Sequence, residues 1–171
     1  MVNMTIPLNK PINEKFKEAI LYILSKCNKN RTFGKTVLYK LLYFSDFNFY
    51  QLHYESITGQ KYRKIDNGPA PIDFDIAMHQ LQKEGKIKIK APKEDYEQYL
   101  FSLEEAPDIK FLSKEQIALI DKVCSKLGNL NAKEISRISH QDMPWEATKP
   151  NQFIDYDLVF YREEGILKLF E

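Results

Sequence analysis

The stretch of sequence that decides the fold is Lys40-Leu41-Leu42-Tyr43-Phe44-Ser45-Asp46-Phe47. It lies inside a segment of about residues 33–51 whose apolar residues recur at helical spacing. A helix that is apolar around most of its circumference is buried in the protein. We therefore predict a central helix in this segment, capped by Thr32, with its middle residues Leu41, Leu42 and Phe44 buried.

Length and composition indicate an ordinary soluble domain. Of the 171 residues, 43% are hydrophobic and 29% are charged, and a net charge of +1 gives no overall attraction to nucleic acid or membranes. The N-terminus lacks the pattern of a signal peptide, and no apolar run reaches the roughly 20 residues of a membrane span. Cys27 and Cys124 lie outside any C-x-x-C motif. We expect reduced thiols, one domain over residues 1–171 and a cytoplasmic location.

Local patterns predict the remaining elements. Helices are expected over residues 14–27, 73–83 and 153–161, and after the capping residues Ser113 and Asn131. Strands are expected over 60–66, 86–91 and 99–103, with the proline-rich segment 67–71 leading the chain out of the first strand. The predicted fold class is α+β: a mainly helical single domain with a small three-stranded antiparallel sheet, winged-helix-like in its first two-thirds.

The sequence shows no motif for catalysis. Gly34-Lys35-Thr36 is similar to the end of a phosphate-binding loop, but the loop needs a second glycine where this chain has Lys29. The three histidines, His53, His79 and His140, are scattered and lack the spacing of metal ligands. No Gly-x-Ser-x-Gly or Cys–His pattern is present either. We therefore expect no catalytic residue, no cofactor and no metal, and a protein that is not an enzyme.

Two further features each allow two interpretations. The alternating lysines Lys86, Lys88 and Lys90 would suit DNA phosphates or a solvated edge strand that resists aggregation, and we favour the edge strand because acidic residues follow closely. His140 and Trp145 would suit an anchor for a partner or the closure of a short helix against the core, and we favour the second interpretation.

Five short signatures occur in a fixed order along the chain. Lys40 to Asp46 reads K-L-L-Y-F-x-D, Thr58 to Lys64 reads T-G-x-x-Y-x-K, and Gly68-Pro69 follows them. Residues around 112–136 and then His140 with Trp145 close the pattern. This order resembles the SocA-like or Panacea-domain family of bacterial and phage antitoxins, most strongly over residues 33–161. Ser45 stands where the family commonly has alanine.

The resemblance implies an antitoxin-like protein-binding module. Such a module neutralises the cognate toxin of a toxin–antitoxin system by direct contact, and one branch of the family acts as an adaptor to a protease such as ClpXP. The family supplies no catalytic residue, and neither nucleic acid nor a membrane is expected as a partner. The alternative is a winged-helix DNA-binding transcriptional regulator that uses Lys61, Arg63, Lys64 and the lysine-rich strand.

The predicted partner-binding residues are Tyr50, Tyr54, Tyr62 and Lys64. Tyrosine supplies a large contact area at a low cost in conformational entropy, and a long cation adds charge at the same place. Tyr62 and Lys64 are two residues apart on one strand, so they share a face. The competing interpretation is that Tyr62 only packs the sheet against the central helix.

Overall fold

The computed structural model describes residues 7–27, 34–94 and 98–171. Within these ranges the chain forms seven α-helices, one 3₁₀ helix and four strands. The elements, in chain order, are α1 (Glu14–Cys27), α2 (Lys35–His53), β1 (Tyr62–Ile65), β2 (Gly68–Pro71), α3 (Phe74–Lys83), β3 (Ile87–Lys90), β4 (Leu100–Leu103), α4 (Lys114–Leu127), α5 (Ala132–His140), α6 (Met143–Glu146), the 3₁₀ helix (Tyr156–Tyr161) and α7 (Glu164–Leu169).

Helix α2 is the centre of the molecule, as its apolar sequence predicts. Leu41, Leu42 and Phe44 are fully buried, and α2 packs against α1, α4, α5, β2 and the 3₁₀ helix. The helix begins at Lys35 with Gly34 as its N-cap residue, and the predicted cap Thr32 lies outside the described residues. It ends at His53. The next residue, Tyr54, still donates its N–H to the carbonyl of Tyr50 at 2.8 Å, but its φ of 59° is left-handed and stops the helix.

The predicted three-stranded sheet is wrong, because the strands form two separate antiparallel pairs. Strand β1 pairs with β2, and β3 pairs with β4. The segment predicted to leave the first strand is itself β2, joined to β1 by a two-residue turn at Asp66 and Asn67. Its prolines sit at every second position, opposite Lys64 and Tyr62. Hydrogen-bonded pairs alternate along an antiparallel ladder, so prolines in this spacing can keep their missing N–H groups off it.

The other edge of β1 is also occupied. The N–H of Lys64 donates to the carbonyl of Gln152 (2.9 Å), and the N–H of Asn151 donates to the carbonyl of Lys64 (2.8 Å). The N–H of Ile154 donates to the carbonyl of Tyr62 at 2.8 Å. Since β2 and residues 151–154 occupy both edges of β1, no edge is left for β3 or β4. The winged-helix arrangement, which relied on the larger sheet, is not confirmed.

Most of the helices follow their local signals. The capping boxes at Ser113 with Gln116 and at Asn131 with Glu134 are both formed, and they open α4 and α5 as predicted. The helix predicted over 153–161 is shorter and of the 3₁₀ type, because residues 151–154 are extended along β1. A further short helix, α7, follows at Glu164–Leu169. In the described part of the chain, no helix has both the length and the apolar character needed to cross a membrane.

Candidate functional site

The residues of the K-L-L-Y-F-x-D signature converge on the β1–β2 hairpin. Lys40, Tyr43 and Asp46 are three residues apart on α2, a spacing that places them along one side of a helix. All three are fully buried although each carries a polar group. Buried polar groups are costly unless they are hydrogen-bonded, so their partners show what the signature does.

Asp46 holds the segment between α2 and β1. Its carboxylate accepts hydrogen bonds from the backbone N–H groups of Ile57 (2.9 Å) and Thr58 (2.8 Å). It also accepts from the hydroxyls of Thr58 and Tyr62, both at 2.5 Å. Burial raises the pKa of Asp46 to about 6, while these hydrogen bonds oppose the rise. Asp46 is therefore saturated with donors and fixes the hairpin on α2.

Tyr43 joins α2 to the C-terminal part of the chain. Its hydroxyl donates to Asp142 at 2.7 Å, and the guanidinium of Arg162 donates to both oxygens of that carboxylate at 2.8 and 2.7 Å. Another nitrogen of Arg162 donates to Asn48 (2.6 Å) and Gln51 (3.1 Å). The Asp142–Arg162 pair is almost fully buried, and its bidentate geometry with additional hydrogen bonds is what makes a buried ion pair tolerable.

Lys40 differs from the other two because it has almost no partner. Its ammonium group lies 3.4 Å from the carbonyl of Pro69, a long contact. Burial lowers the pKa of Lys40 to about 7. Gly68 makes room for it: a Cβ atom at Gly68 would lie 2.4 Å from Cε of Lys40 and 2.7 Å from the hydroxyl of Ser139. The G-P signature is therefore explained by the space that the buried lysine needs.

Lys64, Trp145 and His140 form a stack beside the hairpin. The ammonium of Lys64 donates to the carbonyl of Trp145 (2.9 Å) and lies 3.8 Å from the centre of its ring. The ring of His140 stacks on Trp145 with centroids 4.1 Å apart. Nε2 of His140 and Nε1 of Trp145 are buried without a hydrogen-bond partner among the described residues. Burial and the charge of Lys40 lower the pKa of His140.

A cluster of exposed aromatic side chains lies at the C-terminal end of α2. Tyr54 is 73% exposed and stacks on Phe160, with centroids 5.3 Å apart, and Phe160 is itself 44% exposed. Tyr50 lies 6.1 Å from Phe160, and its hydroxyl donates to Asp157. This hydrogen bond raises the pKa of Tyr50. We call Tyr50, Tyr54 and Phe160 the aromatic surface.

The structure brings together only two of the four predicted partner-binding residues. Tyr50 and Tyr54 share the aromatic surface. Tyr62 is fully buried, donates to Asp46 and packs edge-on against Tyr43 and Phe47, which agrees with the interpretation that it packs the sheet on the helix. Lys64 is half-buried in the stack with Trp145. Contact of Tyr50, Tyr54 or Lys64 with a partner stays a prediction.

The lysine-rich strand and the lysine of Gly34-Lys35-Thr36 have local roles. Lys86 pairs with Glu84 and Lys88 with Glu104, both at 3.4 Å, so carboxylates partly neutralise the strand. Lys35 pairs with Asp75 at 2.7 Å. Position 29, where a phosphate loop would need glycine, lies outside the described residues. In the described ranges, no group of three or more His, Cys, Asp and Glu side chains could hold a metal ion.

The roles of Arg162 in the buried ion pair and of Phe160 in the aromatic surface were not predicted from the sequence. Arg162 directly follows the helix predicted over 153–161, and nothing near it in the sequence indicates its partner Asp142, 20 residues earlier. A signal did exist for Phe160 and Tyr161, which is 70% exposed. Consecutive residues point in different directions, so a short segment is less able to bury two large aromatic residues in succession.

Comparisons with known proteins agree with this arrangement. Residues 38–146 match the family described as "Antitoxin SocA-like, Panacea domain", and the matched region is more than half of the chain. It contains the signature residues of α2, the hairpin and the His140–Trp145 stack. Neither the comparison with curated proteins nor the comparison with solved structures gave a match. The chain belongs to the SocA-like, Panacea-domain antitoxin family.

Proposed function

We propose that this protein neutralises a cognate toxin by direct contact through the aromatic surface. Membership of the family supports an antitoxin role and a toxin partner in general, and it suggests a role without catalysis. The observation that carries the finer proposal is the exposed stack of Tyr54 on Phe160 beside Tyr50. Large aromatic side chains exposed together are typical of the energetic centre of protein interfaces.

The charge around the aromatic surface defines the face of the toxin that would fit it. The negative charges of Asp157 and Asp155 lie close enough to raise the pKa of Tyr50. Glu55, the residue after Tyr54, is exposed. An aromatic centre with an acidic rim complements a basic surface that has apolar contacts at its middle. We therefore propose that the toxin presents a basic face, and that the complex forms in the cytoplasm.

Membership of the family is compatible with two ways of neutralising the toxin. The antitoxin can block the toxin by contact alone, or it can deliver the toxin to a protease such as ClpXP. We favour simple blocking, because contact through one surface is sufficient for it. The level of toxin protein in cells separates the two: it stays constant under blocking and falls under delivery.

The test compares matched double variants in cells that express the cognate toxin. Tyr54→Ala with Phe160→Ala removes the aromatic surface, and Tyr99→Ala with Phe111→Ala removes a similar exposed area elsewhere. We expect the first pair to weaken binding of the purified toxin by about 100-fold or more and to abolish rescue of growth. The control pair should rescue like wild type, and both should melt close to it. Full rescue by the first pair would refute the proposal.

A further inference from the structure

A groove on the side of the molecule that carries the β1–β2 turn has no role in the proposed toxin contact. It has a volume of about 700 Å³ and lies between the first turn of α2, the turn at Asn67 and helix α5. Its polar lining consists of hydroxyl, amide, imidazole and cationic groups, from Thr36, Asn67, Lys133, Ser136, Arg137, His140 and Gln141. No carboxylate is among the described residues that line it.

The cations of the groove are uncompensated. Neither Lys133 nor Arg137 forms an ion pair with a carboxylate of the described residues, whereas Lys10, Lys35 and other lysines do. Both residues lie on α5 four positions apart, so they project from one side of the helix. Like charges at this spacing repel each other, and an anion between them would relieve that repulsion.

Buried groups behind the groove also lack partners. Lys40 is fully buried, and its single polar contact with the described residues is the 3.4 Å approach to the carbonyl of Pro69. It lies one helical turn after Thr36, and its neighbours Gly68 and Ser139 are adjacent in sequence to groove residues. Nε2 of His140, which lines the groove, is buried with no hydrogen-bond partner in the described structure. The ammonium of Lys40 can only donate, so it is the buried group that points to a missing acceptor at this place.

We propose that this groove binds a small molecule that carries a phosphate-type oxyanion. Arg137 supplies the planar donor pair that suits such a group, Lys133 adds a mobile charge, and Ser136 and Thr36 add neutral donors. The positive charge of Lys40, which is buried behind the groove, adds to the attraction for the oxyanion. The site is separate from the aromatic surface, so this proposal does not depend on how the toxin is bound.

The experiment titrates the full-length protein with inorganic pyrophosphate at fixed ionic strength, followed by calorimetry and by the amide resonances of Asn67 and Ser136. We expect wild type to bind and Arg137→Gln to raise Kd about tenfold, as loss of a charge-assisted hydrogen bond would do. Lys149→Gln is the matched control, since Lys149 is exposed and forms no ion pair with the described residues. It should leave Kd within about twofold, since salt screens the effect of an exposed charge that lies outside the groove.

The proposal has clear ways to fail. Equal pyrophosphate affinity for wild type and for Lys133→Gln with Arg137→Gln would overturn it, as would the absence of binding at millimolar pyrophosphate. Tighter binding of a DNA or RNA oligonucleotide than of pyrophosphate, lost in Arg137→Gln, would overturn the small-molecule class. Both substituted side chains are exposed, so the variants should fold, and their melting curves verify this.

Discussion

Lys40 is the residue whose chemistry is most unusual in this protein. A lysine that is fully buried without a carboxylate is destabilising in its charged form, because water solvates the ammonium far better than the core does. Its pKa of about 7 shows that cost. At neutral pH the charged and the neutral form of the side chain are thus similarly populated. A nearby anion would shift this equilibrium towards the charged form.

This pKa predicts how stability depends on pH. In the unfolded chain Lys40 titrates near 10.4, so between pH 7 and 10 the unfolded state binds a proton that the folded state has released. The free energy of unfolding should therefore rise with pH, by about 2 kcal/mol between pH 7 and 9 from this residue. Urea unfolding of wild type and Lys40→Met measures the effect. The variant should lose that part of the rise, and an identical pH dependence would contradict the assignment.

At the scale of the element, the β1–β2 hairpin is the piece of structure that the family signatures specify. Asp46 holds the segment before it, Tyr62 packs it on α2, and Gly68 allows the close approach of Lys40. Residues 151–154 complete it along the second edge. A hairpin of two four-residue strands is marginal by itself, so its stability depends on these contacts with α2 and the C-terminal segment.

Gly68→Ala tests this dependence. The φ of Gly68 is 114°, a region that favours glycine, and a methyl group there would overlap Lys40. We expect the variant to lose about 2 kcal/mol or more of stability in chemical denaturation. Gly165→Ala is the matched control: it lies in α7, has no atom within 4 Å of the added methyl, and should be neutral or slightly stabilising. Equal stability of the two variants would show that the close approach is unimportant.

At the scale of the whole molecule, single buried side chains connect distant parts of the chain. Tyr43, Asp142 and Arg162 join the central helix to the C-terminal third. Glu18 of α1 does the same for the segment before α4. Its carboxylate accepts from the backbone N–H groups of Lys110, Phe111 and Leu112 at 2.6 to 3.0 Å.

Glu18→Gln should therefore release the segment that links β4 to α4. The amide keeps the size of the side chain but replaces one accepting oxygen with an NH₂ group. That NH₂ group would then face backbone N–H groups, which cannot accept a hydrogen bond from it. We expect faster hydrogen exchange at residues 110–112 and a loss of about 1–3 kcal/mol of stability. Glu115→Gln, an exposed change in the first turn of α4, serves as the comparison. Unchanged exchange at residues 110–112 in Glu18→Gln would contradict this role.

Local sequence signals determined the longer helices of this protein. The two capping boxes, the apolar spacing of α1 and the apolar circumference of α2 each depend on residues close together in the chain, and the structure agrees with all of them. The order of the signatures likewise indicated the antitoxin family, because a motif is read from consecutive residues.

Only the tertiary structure decided the strand partners and the exposure of the tyrosines. Strand β1 pairs with β2 along one edge and with residues 151–154 along the other, so the predicted sheet with residues 86–91 and 99–103 does not form. Tyr54 and Tyr62 are the same residue type eight positions apart, yet one is 73% exposed and the other is fully buried. Pairing and burial depend on segments about 90 residues away, and the chemistry of one position does not carry that information.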